Sequence, residues 1–403
     1  MALAYIHTPP PVNFSLDQML FVVESGKMSG TPGDYTPDED NLWCYVRVLK
    51  KVDADPTHDK LLAEKYIPYS RKTKRAEFDI HDIIDIHPTL PKISGTAGDT
   101  SHGQATDTYI SVQVAVADNY GVPTYHEYML DSDYKSVIYG SSRTIIPVIS
   151  KYFDLHAYVD DRGIGFAKPI SKSQPDWLYF FIGDDGSQTI DMEVTMYFED
   201  GTDDSFTQNY TFANNPMVNW IAVGYTQLDL DSHAAGNTII SYKVELAHGL
   251  KFASMKFNVV AETDWEKYLI MDNGLGGIES VRISGKWQMD VDVRKNIAVQ
   301  NWDKNNYAKG QLLQYNSKGQ EKWTMRTGWS ESEAYIEHLK QVIVGDIWLI
   351  DPALGFMKMI VPAQTLKKVR DADKVLWALE FTIDTGFYEE SMTNFYKKWI
   401  IAI

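Results

Sequence analysis

The sequence holds a single cysteine, Cys44, in 403 residues. One thiol excludes an intrachain disulfide framework and a thiolate metal cluster. Cys44 sits in the strand-like run Leu42-Trp43-Cys44-Tyr45-Val46, where an inert buried thiol is expected. Long apolar runs are missing as well. None approaches the ~20 residues of a membrane span, so no membrane insertion is expected. The first residues, Met1 to Tyr5, lack a basic segment followed by a long apolar one, so no signal peptide is read and synthesis in the cytoplasm is expected. Positive charge is scarce: 38 Lys and Arg stand against 55 Asp and Glu, a net charge of −17. A surface that neutralises phosphates must be basic, so nucleic-acid binding and docking on anionic membrane are both disfavoured. The one basic run, Arg71-Lys72-Thr73-Lys74-Arg75, reads as a solvated loop or a local contact to an acidic partner.

What is present points to β-structure. Apolar residues make up 44%, ample for ordinary cores, and aromatics reach 13%, which suits sheet surfaces and protein interfaces. The clearest pattern runs from Val281 to Arg294. Val281, Ile283, Trp287, Met289, Val291 and Val293 alternate with Arg282, Ser284, Lys286, Gln288, Asp290, Asp292 and Arg294. Strict alternation sends each set to one face of a strand. One strand of this length would extend about 46 Å, and Gly285 interrupts its apolar column, so a bulge or bend is expected there. It is entered through Asn273-Gly274-Leu275-Gly276-Gly277, a turn sequence that favours positive φ.

Strand-like runs separated by turn signals predict a mainly β chain of serial β-sandwich domains, immunoglobulin- or fibronectin-like in pattern, plus a C-terminal mixed β domain with one clear helix. Residues 1–13, with Pro9-Pro10-Pro11, read as an extended N-terminal arm. Residues 14–152 form the first sandwich, with strands at Phe14–Glu24, Leu42–Val52, Lys65–Pro68, Thr108–Asp118 and Val122–Leu130. There Glu77–Ile86 is either a short helix or a strand, and Ser94–Asp107 a polar loop. Residues 153–263 form a middle sandwich of about six strands. Its runs are Trp177–Ile182, Ile190–Phe198, Phe206–Phe212, Trp220–Leu230, Thr238–Leu246 and Phe252–Val260, with a hairpin turn at Asp200-Gly201. Residues 264–403 form the C-terminal β-rich domain. Within it Asn301–Lys318 reads as a loop or hairpin, and Ser330-x-x-Glu333 as a capping box ahead of a helix carrying Tyr335, Leu339, Val342 and Ile343 on one face and ending at Gly345.

No side chains present a catalytic signature: there is no His-x-x-x-His, no Gly-x-Ser-x-Gly and no Gly-rich phosphate loop. His81 and His87, six apart, do not share a helical face. Asp160-Asp161, Asp184-Asp185-Gly186 and Asp200 to Asp204 would offer hard oxygen ligands to Ca²⁺, but they lack ordered ligand spacing, and Asp and Gly are what turns themselves need. Among 55 acidic residues no glycosidase pair is singled out. No catalytic residue, metal ligand or cofactor is therefore assigned. Trp287, Trp302, Trp323 and Trp329 cluster in sequence, either as core and cross-strand pairs or as faces for a sugar or a protein. The end of the chain, Trp399-Ile400-Ile401-Ala402-Ile403, is apolar, and an apolar tail is expected to dock on its own domain or on a neighbour.

Three segments carry a resemblance. They are Trp177-Leu-Tyr-Phe-Phe followed by Val194 to Thr202; Asp272-Asn-Gly-Leu-Gly-Gly-Ile-Glu-Ser-Val-Arg-Ile-Ser-Gly285; and Ile347 to Ile350 with Val375 to Ile383. They resemble tail-associated structural proteins of bacteriophages and prophages of Gram-negative gut and aquatic bacteria, with Glu279 standing where those proteins commonly carry Asp. The likeness runs from Trp177 onward. It implies a non-enzymatic virion component of the tail, baseplate or a connected appendage. Such a protein would be made in the host cytoplasm and assembled as a homo-oligomeric ring or spike with other virion proteins. Pro9, Pro10, Pro11, Trp399, Ile400 and Ile401 are the residues then expected to cross subunit boundaries. Two alternatives stand beside it: a carbohydrate-binding or glycan-degrading spike whose partner is a host-surface glycan or receptor, and a stand-alone adhesin, which would need a secretion route.

Overall fold

In the computed structural model the described residues are 3–31, 34–39, 41–52, 59–86, 88, 102–121, 125–126, 129–138, 152–154, 167–248, 251–273, 276–299, 312–330, 332–340, 347–351, 355–362, 367–371 and 376–385. The fold is mainly β, as expected, with short helices at His81–Ile84, Leu230–His233 and Glu333–Leu339.

The first unit is a sandwich. A three-stranded sheet (Ala4–His7, Leu20–Glu24, Arg75–Asp79) faces a larger one built on Tyr109–Tyr120, Trp43–Lys50, Lys60–Pro68, Lys135–Ile138 and Val12–Phe14. Met19, Phe21, Val23, Ala76 and Phe78 meet Cys44, Val46, Val48, Ile110, Val112, Val114 and Val116 between them. The segment read as an arm is part of this sandwich. Ala4–His7 pairs antiparallel with Leu20–Glu24, and Val12–Phe14 pairs parallel with Lys135–Ile138. The prolines are the crossover from one sheet to the other, because a residue without an N–H suits a connection and not a ladder. Pro9 is buried there, and Pro10 and Pro11 are exposed with their carbonyls taken by Asn13 and Ser136. The ambiguous stretch resolves into both alternatives, strand Arg75–Asp79 and then helix His81–Ile84. The partner strand expected at Val122–Leu130 is reduced to Tyr125–His126 and Leu130–Asp131.

The middle region is one sheet, not a self-contained sandwich. Its centre is a hairpin of unusual length, Trp177–Phe198 with Asp203–Ala222, which merges runs that the sequence presents as separate strands. The hairpin turns at Gly201, whose φ is +85°. Ile239–His248, Lys251–Val259 and Lys168–Ile170 extend the sheet on one side, and Tyr152–Asp154 pairs with Trp177–Phe198. His102–Gln104, from the stretch read as a loop of the first unit, is the far edge strand beside Asp203–Ala222. The strand expected at Trp220–Leu230 stops at Ala222, and the short helix Leu230–His233 follows.

Trp177 to Ile182 explains how the units are held. Leu178, Phe180 and Ile182 project into a core shared with Leu269, Met271, Val281, Ile283, Trp323 and Phe381 of the third unit. Trp177, Tyr179 and Phe181 project the other way, onto Val12, Phe14 and Ile138 of the first unit and Ile270 and Ile278 of the third. A strand buried on both faces has no use for alternation, hence the unbroken apolar run.

The third sheet runs in the order Ile278–Ile283, Lys267–Asp272, Ile347–Asp351, Gly355–Ile360, Leu376–Thr385, Leu312–Arg326, Gln288–Val299, with Lys367–Asp371 also on Leu376–Thr385. Its two edge strands are consecutive in the chain. The expected single strand Val281–Arg294 is therefore two, broken at Gly285. The sheet curls until Ser284 and Gly285 donate to the carbonyls of Thr327 and Arg326, at 3.4 and 3.1 Å. A Cβ on Gly285 would stand 2.6 Å from that of Arg326, so the approach requires glycine. The helix begins two residues later than the capping box implies. Ser332 Oγ, not Ser330, accepts the Tyr335 N–H at 3.1 Å, and Ser330 is spent in a bridge to Trp377. Val342, Ile343 and Gly345 lie outside the described residues.

Candidate functional site

Two features stand out where the middle and third units meet: a buried polar seam and, beside it, a pair of clefts.

Within the seam, Lys168, Asp176 and Glu279 all have fully buried side chains. Lys168 Nζ donates to Asp176 Oδ2 at 2.7 Å and lies 3.9 Å from Glu279 Oε2. The Ser280 N–H donates to Asp176 Oδ1 at 3.0 Å. Burial pushes the Asp176 carboxyl upward against the pull of the Lys168 ammonium. The seam continues through Gln174, which donates to Ser280, and Gln227, whose Oε1 accepts from the Asp176 and Gly224 N–H groups. Glu279 thus sits in the ion cluster that joins two units.

The clefts open beside this seam. One, of about 370 Å³, lies between Ala167, Pro169, Asn258 and Val260 of the middle sheet and Arg282, Ser284, Thr327 and Ser330 of the third unit. The other, of about 320 Å³, is lined by Lys286, Arg326 and Glu380 among others. They share Ser284, Gly328 and Trp329, so Trp329 stands between them, 54% exposed. Its mount is rigid. Thr327 donates its N–H to the Leu379 carbonyl and accepts the Leu379 N–H at Oγ1, each at 3.0 Å. Ser330 and Trp377 exchange backbone hydrogen bonds of 2.8 and 2.9 Å. Between these clamps Gly328 has φ +85°, and a Cβ there would fall 2.0 Å from Ser284 Oγ. Of the other tryptophans singled out, Trp323 is buried, with the half-buried Trp287 packed on it at 4.9 Å between ring centres, and Trp302 lies outside the described residues.

The remaining candidate residues disperse. Pro9 is enclosed by its own unit, Pro10 and Pro11 face solvent, and Trp399, Ile400 and Ile401 lie outside the described residues. Asp200 Oδ1 accepts from the Thr202 N–H and hydroxyl at 2.9 and 2.6 Å, which lowers the carboxyl's pKa and accounts for that acidic turn as backbone geometry. Asp160 and Asp161 lie outside the described residues. Among the described residues no group of three or more His, Cys, Asp or Glu is placed to hold a metal ion. His81 pairs with Asp79 and Asp82. Two members of the basic run, Lys74 and Arg75, are spent on Glu24 at 2.9 and 3.4 Å. Sequence reasoning missed the seam, since Lys168, Asp176 and Glu279 are spread over more than a hundred residues and no local pattern links them.

No protein-family model matches the chain, and no curated protein matches it. Among solved structures, a chain from the "Virion of native gene transfer agent (GTA) particle" is similar over 32% of this chain and 99% of its own length. The two are 8% identical, with a TM-score of 0.24. A likeness of that degree leaves function to be argued from the residues themselves.

Proposed function

We propose that the chain is a non-enzymatic structural component of a bacteriophage-type virion, in the tail, baseplate or a connected appendage, and that it works by subunit–subunit assembly. The sequence resemblance of the segments from Trp177 onward supports this reading. So does the way the units are fused by shared cores, which suits a block that must transmit load without rearranging.

The observation that carries it is the ribbon Gln288–Val299 with Leu312–Arg326. Among the described residues, only Lys322–Arg326 pairs onward into the sheet, with Leu376–Thr385. From Val291 to Val299 the two strands pair with each other and, among the described residues, with nothing else. That is a two-stranded arm of about 30 Å. An isolated hairpin is marginal in water, and its open edges are ready for another chain. A second copy or a neighbouring virion protein would complete it.

The test is light scattering coupled to size exclusion, on the full chain and on a variant in which Asp290 is joined to its register partner Lys322 through Asn-Gly. The full chain is expected to self-associate with rising concentration, and the shortened one to stay a folded monomer. Equal association of both, or a strictly monomeric full chain that also fails to join particles, overturns the proposal.

A further inference from the structure

We propose that the paired clefts around Trp329 form a saccharide-binding site that favours sugars carrying a carboxylate. The inference does not rest on the virion reading.

Three observations converge. First, Trp329 offers an indole to solvent from a loop already clamped at Thr327 and Ser330. An exposed apolar ring in a fixed pose has no ordering cost left when a ligand stacks on it, which is the economy of a preorganised site. A core tryptophan would be buried, and an incidental surface one would not be held from both sides.

Second, the shape and lining suit a hydroxylated ligand. Each cleft is in the size range of small-molecule sites. The walls mix the hydroxyls of Ser284, Thr327 and Ser330 with planar charged groups, Arg282 on one side and Arg326 with Glu380 on the other. The Ser284, Thr327 and Ser330 hydroxyls donate to the Thr327, Gly328 and Ser332 carbonyls, so towards a ligand their oxygens act as acceptors, while guanidinium and carboxylate groups bind in a bidentate manner, so adjacent sugar hydroxyls can be matched on both lobes. The C–H face of the ring would lie on the indole.

Third, the charge is unusual for this molecule. On a chain of net charge −17, the clefts gather three cations. Arg282 is paired with Glu266 at 2.7 Å and Arg326 with Glu380. Lys286 has no carboxylate partner among the described residues, and its ammonium lies 5.8 Å over the Trp265 ring. A spare cation beside an exposed indole fits a carboxylate-bearing ring better than a neutral one.

The test uses the full chain at concentrations where it is monomeric, so that self-association cannot mimic the result. Uronic-acid oligosaccharides and neutral gluco-oligosaccharides of equal length are titrated by calorimetry and by tryptophan fluorescence. The acidic set is expected to bind more tightly. Trp329→Ala should weaken binding of both by about tenfold or more. Lys286→Gln should remove the preference for the acidic set while sparing the neutral one. Both side chains are surface-exposed, and circular dichroism is the check that each variant is folded. Absence of binding to either set, binding unchanged in Trp329→Ala, or an acidic preference retained in Lys286→Gln overturns the proposal.

Discussion

At the scale of residues, burial decides reactivity and tolerance. Cys44 is fully buried, and desolvation, with the nearby Asp118 charge adding to it, pushes its thiol up to about 12. The native protein should therefore show no thiol reactive to Ellman's reagent at neutral pH, and one after denaturation; a prompt native reaction would contradict the placement. Lys168 is the opposite kind of case. It is the cation between two buried carboxylates, and its removal leaves their charges uncompensated. Lys168→Met is expected to cost about 3–5 kcal/mol of unfolding free energy by urea titration. His81 adds a pH dependence. The hydrogen bond to Asp79 raises its pKa above 6.5. A raised folded-state value means that its stabilisation is fully present below the unfolded value and is lost as pH rises through the folded one. By urea titration, the stability gap between wild type and His81→Gln should be open below the ordinary imidazole value and should close as pH rises through the raised folded-state value.

At the scale of elements, the helix Glu333–Leu339 depends on its cap. Ser332→Ala is expected to destabilise it by about 1 kcal/mol, whereas Ser330→Ala should cost less, because the Ser330 bridge to Trp377 is made by the backbone and its Oγ accepts only the Ser332 N–H, ahead of the first helical residue. Amide exchange on Tyr335 distinguishes the two. The same pair shows what local pattern can and cannot reveal. The sequence offers serines at 330 and 332, and the spacing to Glu333 favours the first; only the ladder to Trp377, far along the chain, selects the second. Alternation located the strand around Val112 well, Thr108–Asp118 expected and Tyr109–Tyr120 found. It read Val281–Arg294 as one strand because the backbone does run on through Gly285, and only the pairing order shows that Ile278–Ile283 and Gln288–Val299 belong to opposite edges of a sheet. Trp329 was legible as a candidate by type, but its exposure depends on Leu379 and Trp377, which no neighbouring residue announces.

At the scale of the molecule, the apolar clusters cross the expected boundaries near residues 153 and 263. Units that share cores unfold together. Phe181→Ala, in the cluster that touches all three, is expected to cost about 3–5 kcal/mol and to shift one calorimetric transition, without splitting off a second. A separate early transition would show that the units are energetically independent.

The strand His102–Gln104 has one more consequence. Gly103 lies so close to the Trp220 indole that a Cβ would stand 2.9 Å from it, and the strand closes the edge of a sheet formed by residues that come later in the chain. A gene fragment started at residue 153 would thus express the long hairpin with its flank stripped and that indole uncovered. Such a piece should precipitate, and supplying a synthetic peptide spanning residues 99–107 in trans should bring it back into solution.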